Sequence, residues 1–158
     1  AEPAAEAESI TLSFRMKVPK PGDLADDARG VGLVIFDSNF RPRLWEDTAT
    51  ARAAISCAWE VTDIGLPSID DEMAIFGDAD ADAVLARLRA SGLKLGALKR
   101  GKDGPLALSG QDADQTYPPA GRIVDTTAAG DSFNGGFLAA WADGASEAQA
   151  LLAVQMSF

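Results

Sequence analysis

Gly32-Leu33-Val34-Ile35-Phe36 is a near-continuous apolar run that stops at Asp37-Ser38-Asn39, and no other feature constrains the fold so tightly. A strand with one wet face alternates apolar and polar residues. A run that is apolar throughout needs cover on both sides, which a largely parallel sheet flanked by helices provides. The polar group behind it then falls at the carboxyl end of a strand, the edge where open α/β sheets take their ligands.

The remaining pattern agrees with an α/β class. Ile10 to Phe14 predicts a short strand, and Lys17 to Gly22 is loop chemistry with two prolines; residues 1–30 are otherwise poorly assigned. Thr48 to Glu60 predicts a helix with Ile55, Ala58 and Trp59 on one stripe, and Val61 to Leu66 a strand. Asp78 to Asp80 favours a helix start, Ala81, Val84, Leu85 and Leu88 follow at helical spacing, and Gly92 closes the helix as its C′ residue. Leu93 to Lys99 and Pro105 to Leu108 read as strands joined by the turn Gly101 to Gly104, a hairpin. Gln111 to Val124 reads as irregular and strand-like. A helix carrying Phe133, Phe137, Ala140 and Trp141 then runs to Gly144, and Ser146-Glu147-Ala148-Gln149 is a capping box for the last one. Trp45 and Trp59 read as packing residues, and Cys57, among apolar helix positions, as buried.

Composition removes whole classes of chemistry. There is no histidine, which excludes histidine-based triads and metal sites, and one cysteine cannot make an intrachain disulfide. The net charge of −10 works against nucleic acid and anionic membranes as partners. No apolar run is long enough to span a bilayer, and Ala1 to Ser9 lacks the basic and apolar regions of a secretory signal. A soluble, cytoplasmic protein is the expectation.

Asp125-Thr126-Thr127-Ala128-Ala129-Gly130-Asp131-Ser132-Phe133 holds the strongest chemical signal. Small residues opening a helix leave backbone N–H groups free to hold an anion, and a carboxylate there can take a proton from an attacking hydroxyl. Read alone, Asp131 could equally serve the helix dipole. Gly96 to Lys102 satisfies the GxxxxGK pattern of a P-loop, but Asp103 stands where Ser or Thr would hold magnesium, and a strand follows where a P-loop needs a helix.

Asp125 to Phe133, with Asn134 to Ala140 behind it, resembles the carboxyl-terminal motif of the ribokinase-like (PfkB) carbohydrate kinases. The Thr-Thr-Ala-Ala-Gly-Asp form, with Ala128 where Gly is usual, is similar to that of the family's 2-keto-3-deoxygluconate kinases. Phe36 to Trp45 resembles the Asp-x-Asn-x-Arg-Pro-x-Leu-Trp segment of the same subgroup. The resemblance implies a ribokinase-like fold and an ATP- and Mg2+-dependent kinase acting on the primary hydroxyl of a sugar acid, foremost 2-keto-3-deoxygluconate. Fructose, ribose or nucleoside kinases and a non-catalytic nucleotide-binding remnant are the alternatives.

By that resemblance Asp131 is the general base and a substrate contact, and Ala128, Ala129 and Gly130 form the anion hole. Asn39, Phe40 and Arg41 line the nucleotide and sugar-acid site, with Arg41 suited to a carboxylate. Lys99, Arg100, Gly101, Lys102, Asp103 and Gly104 form a turn beside the nucleotide, although Lys99 and Arg100 could also simply solvate it. Glu72, in Ser68-Ile69-Asp70-Asp71-Glu72, stands where the family has a glutamate that organises magnesium through water; an acidic first turn is the plain alternative. The match runs from about Val31 to Phe158, the carboxyl-terminal part of such a kinase domain, and the amino-terminal half is not recognisable. A sheet cut this way is expected to expose an edge and an apolar face and to call for another chain, a second copy included.

Overall fold

The computed structural model describes residues 14–16, 33–110 and 129–155. The strand expected at Ile10 to Phe14 lies mostly outside these residues, as do Gln111 to Val124 and the motif residues Asp125 to Ala128. Strand β1 is Phe14–Met16, β2 Leu33–Phe36, β3 Ile64–Gly65, β4 Ala97–Leu98 and β5 Leu106–Ala107. Helices are α1 Thr48–Glu60, α2 Ile69–Phe76, α3 Ala81–Ala90, α4 Ala129–Ala142 and α5 Glu147–Gln155, with 3-10 turns at Pro42–Leu44 and Gly101–Asp103.

β1 pairs antiparallel with β2, and β2 pairs parallel with β3, Ile35 opposite Ile64. β4 and β5 form the expected antiparallel hairpin. Parallel bridges Gly65 to Gly96 and Ser68 to Lys99 join it to β3, so β2, β3 and β4 run the same way. Two glycines permit this contact. A Cβ on Gly96 would lie 1.8 Å from the Gly65 carbonyl oxygen, and Gly96 has a φ of +135°, open only to glycine.

Alternation along the strands sends side chains into two cores. Phe36, Leu98, Leu106 and Leu108 pack with Ile55, Trp59, Ile75, Val84, Leu85 and Leu88 of α1, α2 and α3. Leu33, Ile35, Ile64, Leu66, Ala97 and Ala107 pack with Phe137, Leu151 and Val154 of α4 and α5. Helices therefore cover both faces, as the apolar run Gly32 to Phe36 demands. Trp59 meets Phe36 edge-on, with ring centroids 4.7 Å apart, and Trp45 packs against the same core.

The helices follow their local signals. α1 is capped by Asp47, whose carboxylate accepts the Thr50 amide, and buries Ala51, Ile55 and Trp59 at successive turns. Cys57 is exposed, correcting its expected burial: it sits two residues from both Ile55 and Trp59, on the opposite side of the helix. α3 is capped by Asp80 and ends with Gly92 in the left-handed region, where Leu93 N–H reaches Leu88 O and Gly92 N–H reaches Arg89 O. Ser146 and Gln149 bond reciprocally at the start of α5. Glu147, buried beside them, accepts from the Gly96 amide and from Ser109, clamping α5 onto the hairpin. Large apolar side chains stand exposed at Leu44, Val61 and Leu152, and no helix among the described residues is long and apolar enough to cross a membrane.

Candidate functional site

Two parallel strands, β2 and β4, end at the same edge on either side of β3, and the residues that follow them carry opposite charge. Asp37 follows β2 and Lys99 follows β4. The Lys99 ammonium donates to Asp37 Oδ2 and, at 3.1 Å, to Asn134 Oδ1, while the Asn134 amide donates to the same Asp37 oxygen at 2.8 Å. Asn134 lies in the second turn of α4, so these side chains tether the start of α4 to the strand ends. A Cβ on Gly130 would lie 3.6 Å from Lys99 Nζ, which puts the cation beside the helix's opening turn. Ala129, Gly130, Asp131 and Ser132 are all exposed there. Two of the three ammonium protons are engaged by Asp37 and Asn134, and an ammonium has three to give.

The loop after β2 forms a second wall. The Asn39 amide donates to Asp37 Oδ1 at 3.2 Å, and Asn39 has a φ of +37°, a left-handed conformation that asparagine tolerates better than most residues. The Phe40 amide donates to Asp71 Oδ2 at 3.1 Å. Arg41 is exposed, its guanidinium reaching back to the Phe40 carbonyl at 3.2 Å. Burial pushes the Asp71 carboxyl above its ordinary value, against the pull of the Phe40 amide and the charges of Arg41 and Lys99.

Three residues named from the sequence are engaged within the fold. The Phe40 side chain is buried in the α1–α3 core, directly after the left-handed Asn39. Arg100 donates to the carbonyls of Gly104, at 2.9 Å, and Asp103, at 2.7 Å, bracing its own turn. Glu72 is fully buried on α2, and its Oε2 accepts from Arg87 at 2.9 Å. Burial raises its pKa, while the Ser38, Arg87 and Trp59 side chains oppose that. The acid that α2 turns to the cluster is Asp71.

Lys99, Asn39, Arg41 and Asp131 stand at the strand-end edge or in the first turn of α4. Gly101 and Gly104 take positive φ in a turn whose Lys102 and Asp103 are exposed, and that turn leads to β5, not to a helix, as the rejection of a P-loop requires. Ala128 lies outside the described residues. Sequence reasoning missed Asp37, Asp71 and Asn134. The position of Asp37 at the end of the apolar run Gly32 to Phe36 was the one usable signal.

The profile of the pfkB family carbohydrate kinase matches residues 22–155. The 2-dehydro-3-deoxygluconokinase of Dickeya dadantii is 40% identical over 119 residues, 73% of this chain and 38% of that relative. The crystal structure of Salmonella enterica aminoimidazole riboside kinase, complexed with aminoimidazole riboside and an ATP analog, superposes with a TM-score of 0.64 at 29% identity, covering 79% of this chain and 42% of that one. A fructokinase structure from Vibrio cholerae O395 in fructose, ADP and calcium ion bound form superposes with a TM-score of 0.65 at 25% identity, covering 76% of this chain and 40% of that one. The chain thus spans well under half the length of the relatives it matches. With its ribokinase-like helices on both sheet faces and its family match across most of its residues, it belongs to the pfkB family of carbohydrate kinases.

Proposed function

We propose that the protein carrying this chain is an ATP-dependent kinase acting on the primary hydroxyl of a sugar acid, 2-keto-3-deoxygluconate. The supporting observation is the exposed Asp131 in the first turn of α4, next in sequence to Gly130, whose Cβ position lies 3.6 Å from Lys99 Nζ. The choice of acceptor rests on the 40% identity to 2-dehydro-3-deoxygluconokinase.

In this reading Asp131 takes the hydroxyl proton as the sugar oxygen bonds to the γ-phosphorus and the bond from phosphorus to the ADP oxygen breaks. The amides of Ala128, Ala129 and Gly130 accept the charge that gathers on the transferred group, with the third Lys99 proton beside them. Arg41 offers a planar fork to the substrate carboxylate. Asn39 and the turn Lys99, Arg100, Gly101, Lys102, Asp103 and Gly104 flank the nucleotide.

Among the described residues no three carboxylate or cysteine side chains converge on one point. That suits magnesium carried on nucleotide phosphates, since this ion keeps several waters and needs only one or two protein carboxylates. Asp71 takes the water-mediated role first expected of Glu72, with Asp37 beside it, and the ion when bound would neutralise phosphate charge. An ATP-dependent step and a lone thiol fit a reducing, cytoplasmic setting.

The short span of the chain supports a second reading, a remnant that binds nucleotide without turnover. Calorimetric titration of the 158-residue chain with ATP, beside a phosphoryl-transfer assay, separates the two. In a full-length enzyme bearing this segment, Asp131→Asn is expected to lower kcat by about 10² to 10⁴ with nucleotide affinity nearly unchanged. Undiminished turnover would remove Asp131 from the base role.

A further inference from the structure

Helix α4 has a packed back half and an exposed front turn. Phe137 is fully buried, and a Cβ on Gly136 would lie 3.3 Å from Val154 Cγ2, so this part of the helix rests closely on α5. Ala129 to Ser132 are exposed and Phe133 is half-buried, and Asn134-Gly135-Gly136 lies between them and Phe137. Asparagine and glycine are poor helix formers, so intrinsic propensity does little to keep the front turn in line with the rest.

Asn134 supplies that hold. It stands three residues after Asp131 and four after Gly130, hence on their side of the helix, and helical side chains lean toward the helix start. Its carboxamide meets both strand-end residues: Oδ1 accepts from Lys99 Nζ at 3.1 Å and Nδ2 donates to Asp37 Oδ2 at 2.8 Å, while Lys99 donates to that same Asp37 oxygen. The three side chains thus close a triangle of hydrogen bonds. Lys99 is fixed at its root, since its N–H donates to the Pro67 carbonyl at 2.8 Å and its own carbonyl accepts from the Ile69 amide at 2.9 Å. Asp37 is steadied in turn by the Asn39 amide, which donates to Oδ1.

We infer that Asn134 is a positioning residue: its carboxamide, caught between Lys99 and Asp37, aims the front turn of α4, and with it Gly130 and Asp131, at the edge where β2 and β4 end. The tie stands on these contacts alone; what the turn is aimed at rests on the kinase reading.

Asn134→Ala tests it, because alanine is the better helix former and the ion pair of Lys99 with Asp37 remains. In the 158-residue chain, amide hydrogen exchange followed by NMR is expected to speed about tenfold at Phe133 and Gly135, whose helical acceptors belong to the front turn, with Ala140, Trp141 and Leu88 of α3 unchanged. Unchanged or slower exchange at those two amides, or a rise shared by Leu88, overturns the inference. Adding Gly135→Ala, into open space, firms the helix without restoring the tie. Titration with ATP then separates aim from rigidity. Binding is expected to be about fivefold weaker in Asn134→Ala, and to stay weaker in the double variant although its exchange is slow again. Equal binding in the parent and Asn134→Ala, or full recovery in the double variant, reduces Asn134 to a helix stabiliser and overturns the positioning role. A parent chain that takes up no ATP refutes the nucleotide reading instead, and the exchange result then decides the tie by itself.

Discussion

Helices α1, α3 and α5 begin under their own side chains, and the first described residues of α4 are exposed. Asp47 accepts the Thr50 amide, Asp80 accepts the Ala83 amide, and Ser146 and Gln149 bond each other. Each of these caps consumes N–H groups that a helix start would otherwise present. At α4, residues 129–132 face solvent beside the Lys99 ammonium. α2 lies between these cases: Ser68 makes no side-chain cap bond, and its first-turn acids are turned to Phe40 and Arg87 instead. A closed start stabilises its helix and nothing more. On the kinase reading, the start of α4 beside the Lys99 cation is the one that offers its amides to a charged ligand.

The largest effect expected from breaking this contrast is at α2. Arg87→Ala leaves Glu72 buried without its cation, and uncoupling a buried pair in this way costs about 3–5 kcal/mol. Denaturant unfolding should show a loss of that order, with α4 still helical in whatever fraction stays folded. A loss under about 1 kcal/mol, the worth of an exposed pair, would mean that α2 is held by packing alone.

What could be read from the sequence divides along the same line. The bounds of α1, the stop at Gly92 and the Ser146 box are visible because cap and partner lie within a few residues of each other. The strand at Leu33–Phe36, half-buried along its length, was legible from its apolar run, which directed attention to Asp37's end of the sheet. The tether itself was not legible, since Lys99 lies 62 residues from Asp37 and Asn134 lies 97 residues from it. Only the close passage of β3 and β4, made possible by Gly65 and Gly96, brings them together. The acidic run Asp70-Asp71-Glu72 shows the opposite limit. Adjacent helix positions differ by about 100°, so a shift of one residue decides which acid faces the cluster and which faces Arg87, and the run alone does not reveal the phase.

A smaller effect tests the closed starts. Ser146→Ala removes the hydroxyl that accepts the Gln149 amide and should cost about 1 kcal/mol, read as a lower thermal midpoint. A loss well above that would show that the box also holds the adjacent Glu147 against Gly96 and Ser109, making this cap part of the hairpin's support.

The smallest effect separates charge from hydrogen bonding in a cap. The Thr50 amide holds the Asp47 carboxyl below its ordinary value, so the folded chain binds this proton less readily than the unfolded chain does. Stability from that shift is therefore present above the unfolded value of about 4 and lost as pH falls through the lower folded value. Asparagine caps a helix about as well as aspartate but does not titrate there. The thermal midpoint of the parent should accordingly exceed that of Asp47→Asn at pH 7 and pH 5 and converge on it as the pH is taken below the lowered folded value. A gap that stays constant across this range would assign the benefit of the cap to its hydrogen bond, and the closed starts would then differ from that of α4 in donor satisfaction rather than in charge.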